Sequence, residues 1–510
     1  LYKKIQAKVA EGRWETQGAM WVEADTNVSG GEALVRQIIY GKRFFREEFG
    51  KDPKMLWLPD VFGYTAALPQ ILKKAGVDYF LTIKISWNSF NVFPHHTFFW
   101  QGIDGSRVLT HMPPEGNYNS SAAPRAIIET EKKFADKAVS EHCALVFGIG
   151  DGGGGPGTEH LERLAREKNL DGLAPVTQEH METFFDSLAQ DTTEYQTWTG
   201  ELYLERHQGT YTTQGRNKRF NRKMELALRE LEFAATLAGA LVGHTYPTQE
   251  LDAIWKEILL YQFHDILPGS SITRVYDESL ARYQQLFEQT QQLLSQAQAA
   301  LIPQPDAAQN SQSVTVFNSL SWERSEWLLI HNQWHYVTAP SLGYTTLNLA
   351  THLRNDEALK GLIASTDVLE NDKLRVSFAA DGTIQAIFDK EHQREVLAPD
   401  AAANRLAVYH DEPYEFDAWE VSITYDKRPP KYFRLEKTES RIDGPQAIVE
   451  QHYHFGQSTL QQHIVLTAGS RRIDFITTVD WQESHKMLRT SFPVAILATE
   501  ATCDIQFGWT

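Results

Sequence analysis

Residues 54–85 read KMLWLPDVFGYTAALPQILKKAGVDYFLTIKI. The apolar run at Met55–Leu58 is short and unbroken, as in a strand buried on both faces, and it closes on Pro59-Asp60. A helical period follows over Ala66–Ala75, and a second apolar run from Val77 to Ile85 reads again as strand. Alternation of this kind predicts an α/β layer or barrel built on a parallel sheet.

Outward from this stretch the same alternation runs from residue 1 to about 190. SRVLTHM and CALVFGIGD are predicted as further buried strands and Pro124–Lys137 as a helix. Ligands of such sheets collect at the carboxyl ends of the strands. Asp60, Lys84 and Asp151 each follow or close an apolar run, so all three are expected to face one cleft.

Between about 215 and 301 the period is helical throughout. Asn221–Ala240 forms one amphipathic run. Thr248 is placed to cap a second, with Leu251, Ile254, Trp255, Ile258 and Gln262 on one face, and a third carries Tyr283, Leu286, Phe287, Leu294 and Leu301. This predicts a three-helix bundle. Residues 302–313, IPQPDAAQNSQS, lack periodicity and read as a linker. Beyond them VTVFN, KLRVSF, GTIQAIF, AIVEQHYHF, QQHIVLTA and RRIDFITTVDW alternate between turn residues, which predicts an antiparallel β-sandwich. The expected domains are therefore 1–195, an α/β barrel; 196–301, the bundle; 302–313, the linker; and 314–510, an incomplete sandwich.

A chain of 510 residues, 42% hydrophobic and 23% charged, has ample material for several cores. Its formal charge of -17 opposes a polyanionic partner, so nucleic acid is set aside. No apolar run of about 18 residues occurs, and no membrane span is expected. Only Cys143 and Cys503 are present, which favours a reducing, cytoplasmic compartment over a disulfide framework. Both ends read as cut, with no initiator Met at LYKKIQ and strand-like sequence still running at IQFGWT, so a longer parent protein is expected.

Four stretches hold residues suited to chemistry. In WLPDVFGY a carboxylate ends an apolar strand, which is costly unless it meets a cation, a metal or hydrogen-bond donors; a helix N-cap is the plainer reading. FGIGDGGGGPG lacks the Lys-Ser or Lys-Thr of a phosphate loop and leaves Asp151 alone in glycine-rich backbone. In LLYQFHDILPGSS, residues 259–271, His264 and Asp265 stand where helix turns to loop, and an Asp at that end opposes the helix dipole. In ELYLERHQGTYTTQGRNKRFNRK, Glu205, His207, Gly209 and Tyr211 lie in a loop whose polar groups and ring suit a sugar, while Arg206, Arg216, Lys218 and Arg219 read equally as a solvated face. His95 and His96 are adjacent on a strand and so point to opposite faces, which weakens them as a metal pair.

Taken in order, WLPDVFGYTAALPQILKKAG, GDGGGGPG, ERHQGTYTTQGRNKRFNRK and YQFHDILPGSSI resemble the α-mannosidases of glycoside hydrolase family 38, most closely the bacterial, fungal and cytosolic branch. EGRWETQGAMWVEADTNVSGGEALVRQ and DEPYEFDAWEV are similar to it as well. The resemblance implies a seven-stranded (β/α) barrel, a three-helix bundle and then β-sandwich domains. It implies retaining hydrolysis of terminal α-mannosides in oligosaccharides through a covalent glycosyl-enzyme. Asp60 would be the nucleophile and a ligand of a catalytic Zn²⁺ or Co²⁺, Asp151 the acid/base, His264 a further metal ligand, Asp265 a partner of sugar hydroxyls, and Phe62 and Tyr211 sugar-contacting rings. Retention needs two carboxyl groups about 5–5.5 Å apart, one ionised to attack and one protonated to assist departure. Zinc beside Asp60 would keep it ionised.

One departure stands out. The family draws two more metal ligands from a His-x-Asp motif ahead of the EGRW stretch, and no such motif stands here, a gap read as truncation. With two protein ligands the chain as written is expected to bind metal poorly and to be inactive if nothing replaces them. A non-catalytic glycan-binding protein and a metal-dependent carbohydrate deacetylase are the alternatives. A homo-oligomer is compatible with the resemblance, though the sequence shows no interface.

Overall fold

The computed structural model describes all residues except 152, 192–194, 303–312, 350–358 and 360. The linker expected at 302–313 therefore lies almost wholly outside the described residues. The rest divides into two compact units. The first holds Leu1–Ala300 together with Ala418–Glu420 and Thr502–Thr510, and the second Leu301–Asp417 with Val421–Ala501.

The first unit is built on a five-stranded sheet of β1 (Met55–Trp57), β2 (Tyr79–Leu81), β3 (Thr97–Gln101), β4 (Arg107–His111) and β5 (Thr197–Thr199), in the order β1-β2-β4-β3-β5. Neighbours β1, β2 and β4 run parallel. β3 is antiparallel to β4 and parallel to β5. The sheet is thus mixed, and among the described residues β1 and β5 do not pair, which differs from the all-parallel, seven-stranded barrel of the sequence-based expectation. The physical reason is a hairpin: HTFFWQ and SRVLTH are joined by the Gly102–Gly105 turn, too short for a parallel crossover. CALVFGIGD is not a strand. Among the described residues it makes only the isolated Ser120↔Phe147 and Ile149↔Gly154 bridges, because its glycines leave it little to pair or pack.

Helices Gly31–Phe49 and Leu68–Lys74 flank the sheet, and Leu34, Ile38, Leu56, Leu58, Leu68, Leu72, Phe80, Phe98 and Trp100 fill one buried core. Helices Gly215–Val242, Thr248–Tyr261 and Thr273–Leu301 share a second core of Leu228, Leu231, Leu251, Ile254, Trp255, Ile258, Tyr283, Leu286 and Leu294, the face that the heptad-like spacing marks. Thr248 makes no capping bond; it is already the first helical residue, after Pro247.

In the second unit a five-stranded antiparallel sheet, Ile363–Glu395, shares its core with the four-stranded antiparallel meander Arg434–Asp480. Leu369, Val376 and Ile384 from one meet Val449, Ile464 and Leu466 from the other. Alternation turns Val376 inward and Arg375 outward in the first sheet, as a period of two requires, while in the meander Ile448 and Val465 are buried beside Val449 and Ile464, so those strands are covered on both faces. Thr502–Thr510, assigned by sequence to the sandwich, belongs to the first unit instead. There Gln506 Nε2 donates to the carbonyls of Thr26 and Ser29 at 2.9 and 2.7 Å.

Candidate active site

The ladder between β1 and β2 continues past both strands. Leu58 N–H donates to Leu81 O (3.0 Å) and Ile83 N–H to Pro59 O (3.3 Å). This register carries Asp60 and Lys84 side by side beyond the carboxyl edge of the sheet, where Lys84 Nζ donates to Asp60 Oδ1 at 2.7 Å. Lys84 is almost fully buried, with Nζ 4.2 Å from the centre of the Trp87 ring and 5.0 Å from that of Phe62. Apolar walls of this kind make the ion pair stronger than it would be in water. Asp60 is therefore not the helix N-cap of the plainer reading; the next helix starts at Leu68.

His264 arrives from the other side. Its helix stops at Tyr261, three residues earlier than its position at a helix end required, and Gln262–His264 then pair with Glu23–Asp25. Asp25 N–H donates to Gln262 O (2.8 Å) and His264 N–H to Glu23 O (3.0 Å). The same Glu23 carbonyl lies 3.2 Å from His264 Nδ1. Donation from Nδ1–H to that carbonyl turns the other nitrogen, Nε2, toward two carboxylates, with Asp60 Oδ2 at 3.6 Å and Asp265 Oδ2 at 3.5 Å. A neutral imidazole in that tautomer would aim a lone pair at two anions, so the arrangement calls for a positive charge there, either a second proton or a metal ion.

The electrostatics agree. Burial works to raise the Asp60 pKa, but hydrogen bonding with His264 and the charge of Lys84 outweigh it and hold the group below the usual carboxylate range. Burial works to lower that of His264, and Asp60, Asp265 and Glu23 reverse the effect, raising it. Burial also lifts Glu23 to about 7; His264 opposes this and Asp60 and Asp265 add to it. One donor atom each from Asp60, His264 and Asp265 lies within 4.8 Å of the others. Two carboxylate oxygens and an imidazole nitrogen are a donor set suited to zinc, and Asp265 stands within reach of the two residues that the sequence-based expectation names as ligands. Asp265 Oδ1 is meanwhile held by Ser270 Oγ (2.7 Å).

Asp151 is brought to the same place by Tyr118. The phenol donates to Asp151 Oδ1 at 2.9 Å and also interacts with Asp60; burial first, then the charge of Asp60 and the bond to Asp151, raise its pKa. Asn119 Oδ1, one residue on, accepts from Gly150 N–H and pins the loop. Phe62 packs edge-on to His264, ring centres 6.1 Å apart. Tyr211 is not in this cluster. It is partly exposed beside a polar cavity of about 590 Å³, tied to Phe62 through Asn27, whose Nδ2 reaches Tyr211 Oη (3.3 Å) and Phe62 O (3.1 Å). The larger cavity, about 840 Å³ and mainly apolar, opens between two helices and holds none of these groups.

Several contributors were not legible as such. Glu23 and Asp25 sit in the stretch WVEADTN, whose acid-x-acid spacing was the available signal. Asp25 Oδ1 caps the following turn through Asn27 and Val28 N–H at 3.0 and 2.6 Å. Lys218, read as part of a solvated face, is instead half-buried and donates to Leu267 O (2.9 Å) and Pro268 O (3.0 Å), anchoring the loop just after Asp265. Gly269 has φ +92° and its α-carbon faces Thr213 O so closely that a β-carbon would lie 2.7 Å from it, so the break after His-Asp requires glycine. His95 and His96 serve the backbone around Asp136, with His95 Nδ1 3.0 Å from Asp136 Oδ1.

Comparison with known proteins decides what this geometry belongs to. The model of the glycosyl hydrolases family 38 N-terminal domain matches residues 1–201, that of the α-mannosidase middle domain residues 205–301, and that of the family 38 C-terminal domain residues 369–510. The chain belongs to glycoside hydrolase family 38. Alpha-mannosidase 2C1 of Homo sapiens is 37% identical across all of this chain and 50% of its own length. The Saccharomyces cerevisiae alpha-mannosidase is 32% identical across all of this chain and 47% of its own. The chain thus spans about half the length of these curated family members. An alpha-mannosidase from Enterococcus faecalis V583 shares the fold, with a TM-score of 0.78 over 99% of this chain and 69% of that one at 15% identity. In this family 38 chain the mixed α/β first unit carries the cluster around Asp60, and none of its helices is long and apolar enough to cross a membrane among the described residues.

Proposed function

We propose that the chain is the catalytic part of a retaining, metal-dependent exo-α-mannosidase that removes terminal α-linked mannose from oligosaccharides. The observation that supports this most is the Tyr118 hydroxyl, which donates to Asp151 Oδ1 at 2.9 Å and whose pKa is raised by the nearby charge of Asp60, so that both carboxyl groups stand near one phenol. On this reading Asp60, kept anionic by Lys84 and His264, attacks the anomeric carbon, and Asp151 passes its proton to the departing oxygen. Water, deprotonated by Asp151, then releases the sugar from Asp60 with the original configuration restored. The five-stranded sheet corresponds to part of the family's seven-stranded barrel, with the three helices as its bundle.

Asp60, His264 and Asp265 would hold a zinc or cobalt ion. When bound, it supplies a Lewis acid that grips neighbouring sugar hydroxyls. Phe62 offers its ring beside this cluster to the apolar face of the sugar. The names of the relatives, all α-mannosidases, support the substrate class. We place the protein in the cytoplasm, in keeping with free Cys143 and Cys503.

The test is release of nitrophenol from p-nitrophenyl α-D-mannoside by the wild-type chain and by Asp60→Asn. Turnover that chelation removes, zinc or cobalt restores and Asp60→Asn abolishes is the expected result. Wild-type rates in Asp60→Asn would sink the assignment.

A further inference from the structure

Residues Ala418–Glu420 lie some 200 positions downstream of the loop that carries His207, within sequence that otherwise forms the second unit, yet they cluster with the first. They are fastened there at four points. Glu420 Oε2 accepts from His207 N–H at 2.9 Å and its Oε1 lies 2.8 Å from His207 Nδ1. Trp419 O accepts from Gly209 N–H (2.8 Å), and Ala418 O from the Thr213 hydroxyl (2.7 Å). Gly209 makes the approach possible, since a β-carbon there would stand 2.9 Å from Trp419 O. His207 itself has φ +61°, a conformation that a non-glycine residue holds only where its surroundings impose it. The bidentate grip of Glu420 imposes it.

The attachment has a consequence for the site. Three rings meet with centres 4.9 Å apart for Phe62 and His207, 5.0 Å for His207 and Trp419, and 5.6 Å for Phe62 and Trp419. Phe62 is two residues from Asp60 and also borders His264 and Lys84. Its position is therefore set on one side by the charged cluster and on the other by Trp419.

We propose that Trp419 and Glu420 are positioning residues of the Asp60 site: Glu420 locks His207, and Trp419 holds Phe62 as the apolar wall against which the sugar ring is placed. This rests on the α-mannosidase reading. Buried neutral His207 suits the role, because its Nδ1–H can be given to Glu420 without adding a charge beside Lys84.

The experiment compares Trp419→Ala, Trp419→Phe and Glu420→Ala with wild type on p-nitrophenyl α-D-mannoside, together with equilibrium binding of methyl α-mannoside to the same proteins by calorimetry. Trp419→Ala should lower kcat/KM about 10- to 100-fold, mostly through KM, because a wall displaced by about 1 Å misplaces the ring. Trp419→Phe should recover most of this, Glu420→Ala should behave like Trp419→Ala, and the pH profile of kcat/KM should stay in place. Loss of kcat at unchanged KM, in proportion to unfolded protein, would mean that the strap is only structural and would overturn the proposal. So would wild-type KM and mannoside affinity in Trp419→Ala. A wild type that hydrolyses nothing but binds methyl α-mannoside more tightly than Trp419→Ala would remove the hydrolase reading and leave the wall standing.

Discussion

At the scale of single residues the site is a contest between burial and charge. Asp60 stays anionic because Lys84 and His264 together overcome its desolvation. Lys84→Met removes one of the two, so the Asp60 pKa must rise, and the acid limb of the pH profile of kcat/KM should move to higher pH; Lys84→Arg should leave it nearly where it was. Glu23 presents the opposite case. With its folded pKa at about 7, above the ordinary carboxylate value, the folded protein keeps a proton that the unfolded chain has lost. That contribution is fully present below the unfolded pKa and is lost as pH rises through about 7. Solvent reaches about a third of the side chain (36%), so its size is discounted to about 1–2 kcal/mol. Chelator-treated protein should accordingly lose urea resistance between pH 5 and pH 8, and Glu23→Gln should flatten that dependence. Asp60, Asp151 and His264 were readable in sequence because each interrupts an apolar or glycine-rich pattern. Lys84 was readable in the same way, closing an apolar run, whereas Glu23 and Tyr118 owe their meaning to partners 33 or more positions away, and no local pattern shows that.

At the scale of elements, the strands, helices and turns that place these groups are anchored by backbone pairing at both ends of the cleft. The extension of the β1–β2 ladder sets Asp60 against Lys84, and the short bridge between Glu23–Asp25 and Gln262–His264 aims the imidazole. Lys218 holds the loop that follows. Replacing it with Met would leave buried carbonyls at Leu267 and Pro268 unpaired, at about 1–3 kcal/mol each. The expected loss is about 2–6 kcal/mol by denaturant titration, with weaker cobalt binding in the visible absorption spectrum. Unchanged stability and an unchanged cobalt spectrum would show that the loop does not need its anchor. The helical bundle and the alternating strands of the second unit were legible because period is a local property. The β3–β4 hairpin was not, since a buried strand of either direction reads as the same apolar run, and the CALVFGIGD segment was misread because its apolar residues mimic a strand that its glycines prevent.

Across the whole molecule, chain far in sequence from the Asp60 cluster completes the first unit. Ala418–Glu420 fastens the His207 loop, and Gln506 ties down the Thr26–Ser29 turn beside Asn27. Sequence order alone assigns both segments to the sandwich, so this interleaving is visible only in three dimensions. The family 38 match across all three regions gives the frame, and the pairing of Asp60 with Asp151 around Tyr118 gives the proposed chemistry. A covalent sugar on Asp60 is the most direct test of it. The chain, loaded with zinc, would be treated with a fluorinated mannosyl fluoride that forms the glycosyl-enzyme quickly and releases it slowly, then digested and mapped by mass spectrometry. The account predicts one added fluoromannosyl group on the peptide containing Trp57–Tyr64, localised to Asp60 and absent from Asp60→Asn. Turnover without any such adduct, or an adduct on another carboxylate, would contradict it.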